Sequence, residues 1–527
     1  MRSIPLRLWA LAVLSAILQV LPFSIAGPVP FWRRMICWFC LVPLLYALLS
    51  LNCDQKSLRL HHAALLSYVA GVLWYAGNCY WIYRTMHLYG NIPTLPSFGI
   101  LILFSLYLGL YPALFGIILA VLRAKHSRNL VLCAVPFLWV AVELARARIT
   151  GFPWDLLGYT QVNNLTLTRL APITGVMGIS FVIAAVNALW LLRPANLRLK
   201  YIPAAVALLF VVLATITQAR QPRHFLEATT ATATLIQENL GVGSERIGNH
   251  ESQQDMLAAF SKLSLHPVMS LGPKHPSQII IWPEAPTDFI DTDPQLRNSI
   301  SNLARQANAA VIVNDVTVAS YLGNRPQLYN SASFFNPDGT YAGRYDKMHL
   351  VPFGEYVPYK PLFFFVGDLL DDLLFIPGTH RSVFSVDNKK YGTFICYESV
   401  FGDDLRHFAL NGAQVLVNIS DDGWYGDTSA PFEHLDMVRM RAIENHRWIL
   451  RATNTGITAV IDPEGRITET IPRHIRTSVQ VLFGFENDLT LYTRYGDWFA
   501  WICAFVTALL LLLGLTRKTR SPHSQVN

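Results

Sequence analysis

Tyr391-Gly392-Thr393-Phe394-Ile395-Cys396-Tyr397-Glu398 reads as a short apolar strand that stops on a cysteine, followed by a tyrosine and an acid. A run this short and apolar suits a strand buried on both faces. Two other stretches end the same way, on a residue able to do chemistry. In Ile281-Trp282-Pro283-Glu284-Ala285-Pro286, a carboxylate follows an apolar strand beside bulky rings. Desolvation there would raise its pKa and make it a usable base. In Gly343-Arg344-Tyr345-Asp346-Lys347-Met348-His349-Leu350, Lys347 leads into Val351-Pro352-Phe353-Gly354-Glu355-Tyr356-Val357-Pro358. Taken singly, Cys396 is a small buried hydrophobe, Glu284 a solvated loop acid and Lys347 a partner for Asp346. Their joint occurrence, in the order Glu, Lys, Cys with these flanks, is a far stronger signal.

The surrounding sequence alternates strand and helix patterns. Ala231–Gln237, Gln278–Trp282, Ala309–Val316, Tyr391–Cys396, Ala413–Ile419 and Ile457–Ile461 read as strands. His250–Leu263, Pro294–Asn308 and Glu433–Arg447 read as amphipathic helices. Asp462-Pro463-Glu464-Gly465 is a turn that closes a hairpin. About 270 residues of this texture predict one α/β domain with a substantial core. Its expected limits are residues 220–495.

Outside those limits the composition changes. The chain of 527 residues is 52% hydrophobic and 15% charged, which excludes an ordinary soluble enzyme and a disordered chain. Apolar segments fall at about 8–26, 31–51, 64–83, 98–122, 129–145, 174–193 and 201–218, with an eighth at about 498–515. Each approaches the roughly 20 residues needed to cross a bilayer. Trp9, Trp32, Trp81, Tyr83, Tyr201 and Trp498 sit near segment ends, as an interfacial belt would. The expected organisation is therefore an all-α membrane domain over 1–219 with seven transmembrane helices. The eighth helix and a basic tail follow over 496–527.

Charge supports the split. Residues 1–219 hold sixteen Lys and Arg against three acids, whereas 220–515 are net acidic. The overall +7 is thus no nucleic-acid-binding surface. With a cytoplasmic N-terminus, thirteen positive residues fall in inside segments and six in outside loops, so the positive-inside rule selects N-in and C-in. Seven crossings then carry 220–495 outside the cytoplasm. Ser24-Ile25-Ala26 before Gly27 resembles a signal cleavage site, but cleavage there would leave the large domain on the same side. Six of the seven cysteines lie in or beside the apolar segments, and only Cys396 lies in the outer domain. No Cys and His pattern suggests a metal.

The Glu284, Lys347 and Cys396 constellation resembles the nitrilase superfamily. Joined to a membrane half of this size, it resembles the bacterial apolipoprotein N-acyltransferases. The resemblance also rests on Gly151-Phe152-Pro153-Trp154 with Gly158-Tyr159, Trp424-Tyr425-Gly426-Asp427 and Arg439-Met440-Arg441-Ala442. Arg451-Ala452-Thr453-Asn454-Thr455-Gly456, Tyr492 and Arg494-Tyr495-Gly496-Asp497-Trp498 complete it. It implies a nitrilase-like α-β-β-α sandwich on a polytopic membrane domain of eight transmembrane helices. It implies Glu284, Lys347 and Cys396 as the catalytic set, with Glu355, Tyr397 and Glu398 supporting them. It implies no cofactor and no metal. The implied donor is a membrane phospholipid and the implied acceptor the α-amino group of a diacylglyceryl-cysteine on an apolipoprotein. The implied setting is a monomer in the bacterial inner membrane with its catalytic domain in the periplasm.

Some positions depart from that pattern. Ser244-Glu245-Arg246-Ile247 lacks an expected Trp, and in Ser420-Asp421-Asp422-Gly423-Trp424 an acid, Asp421, stands where Asn is expected. Gly423 stands where Ala is common. Pro361–Ile376, apolar with few turn signals, reads as a membrane-dipping lid. Three other readings compete. A membrane-anchored amidase could use the same triad, but eight charge-ordered spans exceed what an anchor needs. A transporter is disfavoured by scarce intramembrane ionisable residues, Glu143 being the main exception. A Cys–His hydrolase could use His349, His434 or His446, though the sequence shows no third group to orient any of them.

Overall fold

Ala310-Val311-Ile312-Val313 packs alternate residues against two different layers, and this alternation builds the outer domain. In the computed structural model, which describes residues 4–50, 60–192, 229–242, 252–270, 276–284, 290–323, 325–352, 354–356 and 375–516, these residues begin the strand Ala310–Leu322. Ala310 and Ile312 join one apolar cluster while Val311 and Val313 join another. Ile279 and Ile281 divide from Ile280 in the same way, as do Leu235 and Ile236. Period-two side-chain direction on a sheet covered on both faces requires this.

Among the described residues, thirteen strands form two sheets. The first contains β1 (Ala231–Gln237), β2 (Met269–Ser270), β3 (Ile279–Ile281), β4 (Ala310–Leu322), β5 (Arg325–Phe335), β6 (Tyr341–Asp346) and β13 (Thr477–Phe483), in the order β2-β13-β1-β3-β4-β5-β6. The second contains β7 (Val383–Val386), β8 (Lys389–Ile395), β9 (Val415–Ser420), β10 (Trp448–Thr453), β11 (Ala459–Ile461) and β12 (Ile467–Thr470), in the order β12-β11-β10-β9-β8-β7. The sheets enclose Leu235, Ile312, Phe334, Phe394, Val417 and Leu450 between them. Helices Gln253–Leu265 and Pro294–Ala307 cover the first sheet through Phe260, Leu296 and Ile300. Helices Gly402–Leu410 and Ala430–Asn445 cover the second through Leu405, Phe408, Leu435 and Val438. The result is an α-β-β-α sandwich.

Strands β1, β3 and β4 run parallel, as do β8, β9 and β10. The loops leaving β3, β8, β9 and β10 therefore open at carboxyl ends, where ligand sites gather in α/β sheets. The Asp462–Gly465 turn closes the β11–β12 hairpin, with Asp462 N and Gly465 N bonded across it.

The N-terminal region is helical. Among the described residues, three helices are long and apolar enough to cross a membrane by length and composition: Phe31–Ser50, Thr94–Lys125 and Arg128–Thr150. Leu6–Val20, Val176–Leu189 and Trp498–Gly514 are apolar but shorter. Leu60–Asn78 occupies another expected segment, diluted by His61, His62 and Asn78. The expected segment 201–218, the lid residues 361–374 and Ser244–Ile247 lie outside the described residues. Small and polar residues draw these helices together, as in membrane bundles. A Cβ on Gly116 would stand 2.3 Å from Ser67 Oγ, so only glycine admits this approach. Asn187 Nδ2 donates to the carbonyls of Cys37 and Ile183, and its Oδ1 accepts from Leu41 N.

Helix Ala430–Asn445 joins the two regions. Leu435, Val438 and Ala442 face the sandwich, while Met437, Met440 and Ile443 pack into the cluster of the N-terminal helices. Residues far apart in sequence bond across this seam. Trp154 Nε1 donates to Glu433 Oε2 (2.7 Å), Val176 N to Glu444 Oε1 (2.9 Å) and Arg441 Nη2 to the Tyr159 hydroxyl (3.2 Å). Arg148 bridges Asp403 and Asp497 at 2.7 and 2.6 Å.

Candidate active site

Glu284 leaves β3, Lys347 leaves β6, Cys396 leaves β8 and Asp421 leaves β9, so the sandwich delivers all four to one end. Lys347 is buried, with its Nζ 2.9 Å from Glu355 Oε1 and 3.3 Å from Glu284 Oε1. Asn330, on β5, donates from Nδ2 to the same two oxygens, at 2.8 Å to Glu284 and 2.9 Å to Glu355. Its own Oδ1 accepts from Asn314 Nδ2 (2.8 Å), which fixes the amide orientation. Glu284 Oε2 accepts from Asp421 N (3.0 Å), and Glu355 Oε2 from Val351 N (2.7 Å). Every carboxylate oxygen in this group has a donor, which a buried ionic cluster needs.

Burial works against the Lys347 ammonium, but Glu284, Glu355 and Cys396 outweigh it and raise its pKa, so it stays charged. The same charges reach Cys396. Burial pushes its thiol well up and Glu284 adds to that, while Lys347 pulls it back. The resting residue is a thiol that needs a base before it can act.

Cys396 has φ +50°, unusual for a residue with a side chain, and it begins the 3₁₀ turn Cys396–Val400. A sharp strand-to-helix elbow of this kind lifts a nucleophile out of its strand, and the left-handed residue costs on the order of 1 kcal/mol. Glu398 holds the elbow. Its Oε2 accepts from Ile395 N (2.7 Å) and its Oε1 from the Tyr345 hydroxyl (2.7 Å), Met348 N (2.7 Å) and His349 N (3.2 Å). One buried carboxyl thus ties the Cys396 turn to the Tyr345 side chain before Lys347 and to the backbone just after it. Tyr397 points the other way. It packs in the cluster of the N-terminal helices, and its hydroxyl donates to Gly151 O (3.1 Å).

Beneath the elbow lies a buried network that local sequence pattern did not expose. Arg451 Nη2 meets Asp422 Oδ2 at 2.5 Å, and Asp422 Oδ1 meets His434 Nδ1 at 2.9 Å. His434 Nε2 faces Ser399 Oγ (2.5 Å) and Cys396 O (3.1 Å). Each histidine weighed from the sequence does have an acid partner: Asp404 for His349, Asp422 for His434 and Asp488 for His446. His434 reaches the carbonyl of Cys396, so these contacts brace the elbow and do not form a Cys–His dyad. Asn330, Asp421 and Asp422 were the site residues missed. Asp421 was visible in the sequence only as an acid where an amide is usual.

Comparison with known proteins now bears on the whole chain. Residues 15–189 match the apolipoprotein N-acyltransferase N-terminal domain, and 243–481 match carbon-nitrogen hydrolase. An apolipoprotein N-acyltransferase of Geobacter metallireducens is 35% identical over 98% of this chain and 97% of its own length. The chain belongs to the apolipoprotein N-acyltransferase family. A second apolipoprotein N-acyltransferase, from Methylococcus capsulatus, is 31% identical over 96% of each chain. A solved nitrilase-superfamily amidase from Nesterenkonia AN1 aligns at 16% identity with a TM-score of 0.36, over 50% of this chain and 92% of its own.

In this apolipoprotein N-acyltransferase-family chain, the Arg451–Asp422 pair predicts an acid-stability effect. Burial alone would raise Asp422, but Arg451 and His434 outweigh it and hold its carboxyl well below the usual range. Such a group contributes stability that is complete above its unfolded value, about 3.9, and is lost as pH falls through the lower folded value. Arg451→Met leaves this buried carboxylate without its main partner. The substitution is expected to cost about 3–5 kcal/mol and to move acid unfolding to higher pH. Thermal melts of the detergent-solubilised protein between pH 7 and 3 check both effects.

Proposed function

We propose that this chain transfers an acyl group from a membrane phospholipid to the α-amino group of the N-terminal diacylglyceryl-cysteine of apolipoproteins. Glu284 takes the proton of the Cys396 thiol, and the thiolate attacks the phospholipid ester carbonyl. An ammonium has three donors. Two on Lys347 meet Glu284 and Glu355, and the third serves the tetrahedral oxyanion. Collapse expels lysophospholipid, which takes the proton from Glu284, and leaves a thioester on Cys396. The acceptor amine then attacks, Glu284 takes the amine proton, and collapse forms the amide and returns the thiol. Glu355 and Glu398 keep Lys347 and Cys396 in register.

One observation supports the lipid reading over a small-amide hydrolase. Tyr397, next to the nucleophile, is buried among the N-terminal helices and bonded to Gly151 O. The elbow therefore lies against the part of the chain that carries the three apolar spans. We place this chain as a monomer in the bacterial inner membrane. Eight helices over 1–219 and 496–527 are N-in and C-in, with 220–495 in the periplasm, as the distribution of Lys and Arg favours. Closure against water would protect the thioester from hydrolysis.

Purified full-length protein mixed with phospholipid and a diacylglyceryl-cysteine peptide tests the reading. The expected products are N-acylated peptide and lysophospholipid in equal amounts, unaffected by Cys503→Ser. Fatty acid released to water with no N-acyl peptide would establish the hydrolase instead.

A further inference from the structure

Asp421 is an acid in a place that has no use for another negative charge. It is 3% exposed and sits directly against Glu284, with its N–H on Glu284 Oε2. Among the described residues its carboxyl meets neutral donors alone: Gly423 N (2.9 Å) and Thr455 Oγ1 (3.5 Å) on Oδ1, and Asn454 Nδ2 (3.2 Å) on Oδ2. The charged groups around it come from every neighbouring strand end. Glu284 lies after β3, and Lys347, after β6, is already shared between Glu284 and Glu355. Asp422 is paired with Arg451 of β10 and with His434. Cys396, after β8, and Tyr425, in the turn that Asp421 caps, both feel the charge of Glu284. Among the described residues no cation pairs with Asp421. If ionised, it would be a third carboxylate around a single ammonium, and a buried charge without a partner is strongly disfavoured.

We propose that Asp421 is a positioning residue that works as a neutral acid, holding the Glu284 carboxylate through its N–H and capping the Asp422–Tyr425 turn, and that its ionisation switches the site off. Burial, and next the charge of Glu284, push the Asp421 carboxyl up to about 8, which agrees with that geometry. Below that pH Oδ1 still accepts from Gly423 N, as an amide oxygen in its place would. Above it, an anion beside Glu284 opposes negative charge forming on the Cys396 sulfur and on the tetrahedral oxygen. The resulting trend opposes that of a bare thiol nucleophile, which gains rate with pH as its thiolate fraction grows. The inference rests on the assignment of Glu284 and Cys396 proposed above.

The test compares acyl-enzyme formation from phospholipid by parent and Asp421→Asn full-length proteins in detergent, between pH 6 and 10. A carboxyl titrating near 8 is about nine-tenths neutral at pH 7 and about nine-tenths ionised at pH 9. The variant-to-parent rate ratio should therefore rise about tenfold between those values. Asp421→Ser, a smaller neutral residue that can also cap the turn, should show the same rise and serves if the amide variant folds poorly. A ratio that is flat or falls with pH overturns the inference. Acyl label that persists in Cys396→Ser would instead overturn the assignment beneath it.

Discussion

Cys396→Ser is expected to abolish acyl transfer, lowering the rate on the order of 10⁴–10⁶-fold while the protein still folds. The reason lies in proton affinity. Glu284 can draw a proton from a thiol whose charge Lys347 favours, but a serine hydroxyl is a far weaker acid and stays protonated beside the same carboxylate. Oxygen is smaller than sulfur, and the elbow is held by Glu398 through backbone donors at Ile395, Met348 and His349, none of which the substitution touches. Labelled phospholipid should leave a hydroxylamine-sensitive acyl group on the parent and none on the variant. Thermal midpoints should agree within about 2 °C, since no buried bond is lost. Label on any residue other than Cys396 would contradict the thioester.

Much of the sandwich was legible, and the reasons differ by element. Strand β1 was expected over Ala231–Gln237 and is found there, because a compact run of small and apolar residues admits one reading. Helix Pro294–Ala307 was equally clear. Asp293 caps it by accepting from Gln295 N, Pro294 opens it, and Asn308 closes it in the left-handed region. Strands β5, β6 and β10 were not read as strands. Parts of β5 and β6 are half-exposed and polar. Strand β10 contains Arg451, whose fitness for a buried strand depends on Asp422 twenty-nine positions earlier. The contacts of the site are longer still. Asp421 meets Glu284 across 137 positions and Asn330 meets it across 46, and no local pattern encodes such pairings. In the helical half, apolar runs marked where helices lie, but polar residues such as His61 and Asn78 make some of them less apolar than run length alone suggests.

Lys347→Met is expected to lower acyl transfer by about 10³–10⁴-fold, and charge counting explains why a second substitution should repair only half of the damage. Lys347 is buried, and it is the cation that Glu284 and Glu355 share. Without it, the Oε1 atoms of the two carboxylates remain on the one Asn330 amide, close enough that the pair takes up a proton. If Glu284 takes it, the base is lost. If Glu355 takes it, the base survives without the cation that stabilised thiolate and oxyanion, a loss worth several kcal/mol in a water-excluded site. Removing one partner of a buried ion pair also costs about 3–5 kcal/mol of stability. In Lys347→Met with Glu355→Gln, only Glu284 is left to ionise, so the thermal midpoint should recover most of the way toward that of the parent. Acyl transfer should stay at the level of the single variant, because the missing ammonium has not been replaced. Recovery of both would make Lys347 a structural counter-ion only, and failure to recover stability would mean the two carboxylates do not repel. Melting curves and acyl-enzyme rates on the four proteins of this cycle measure the two effects separately.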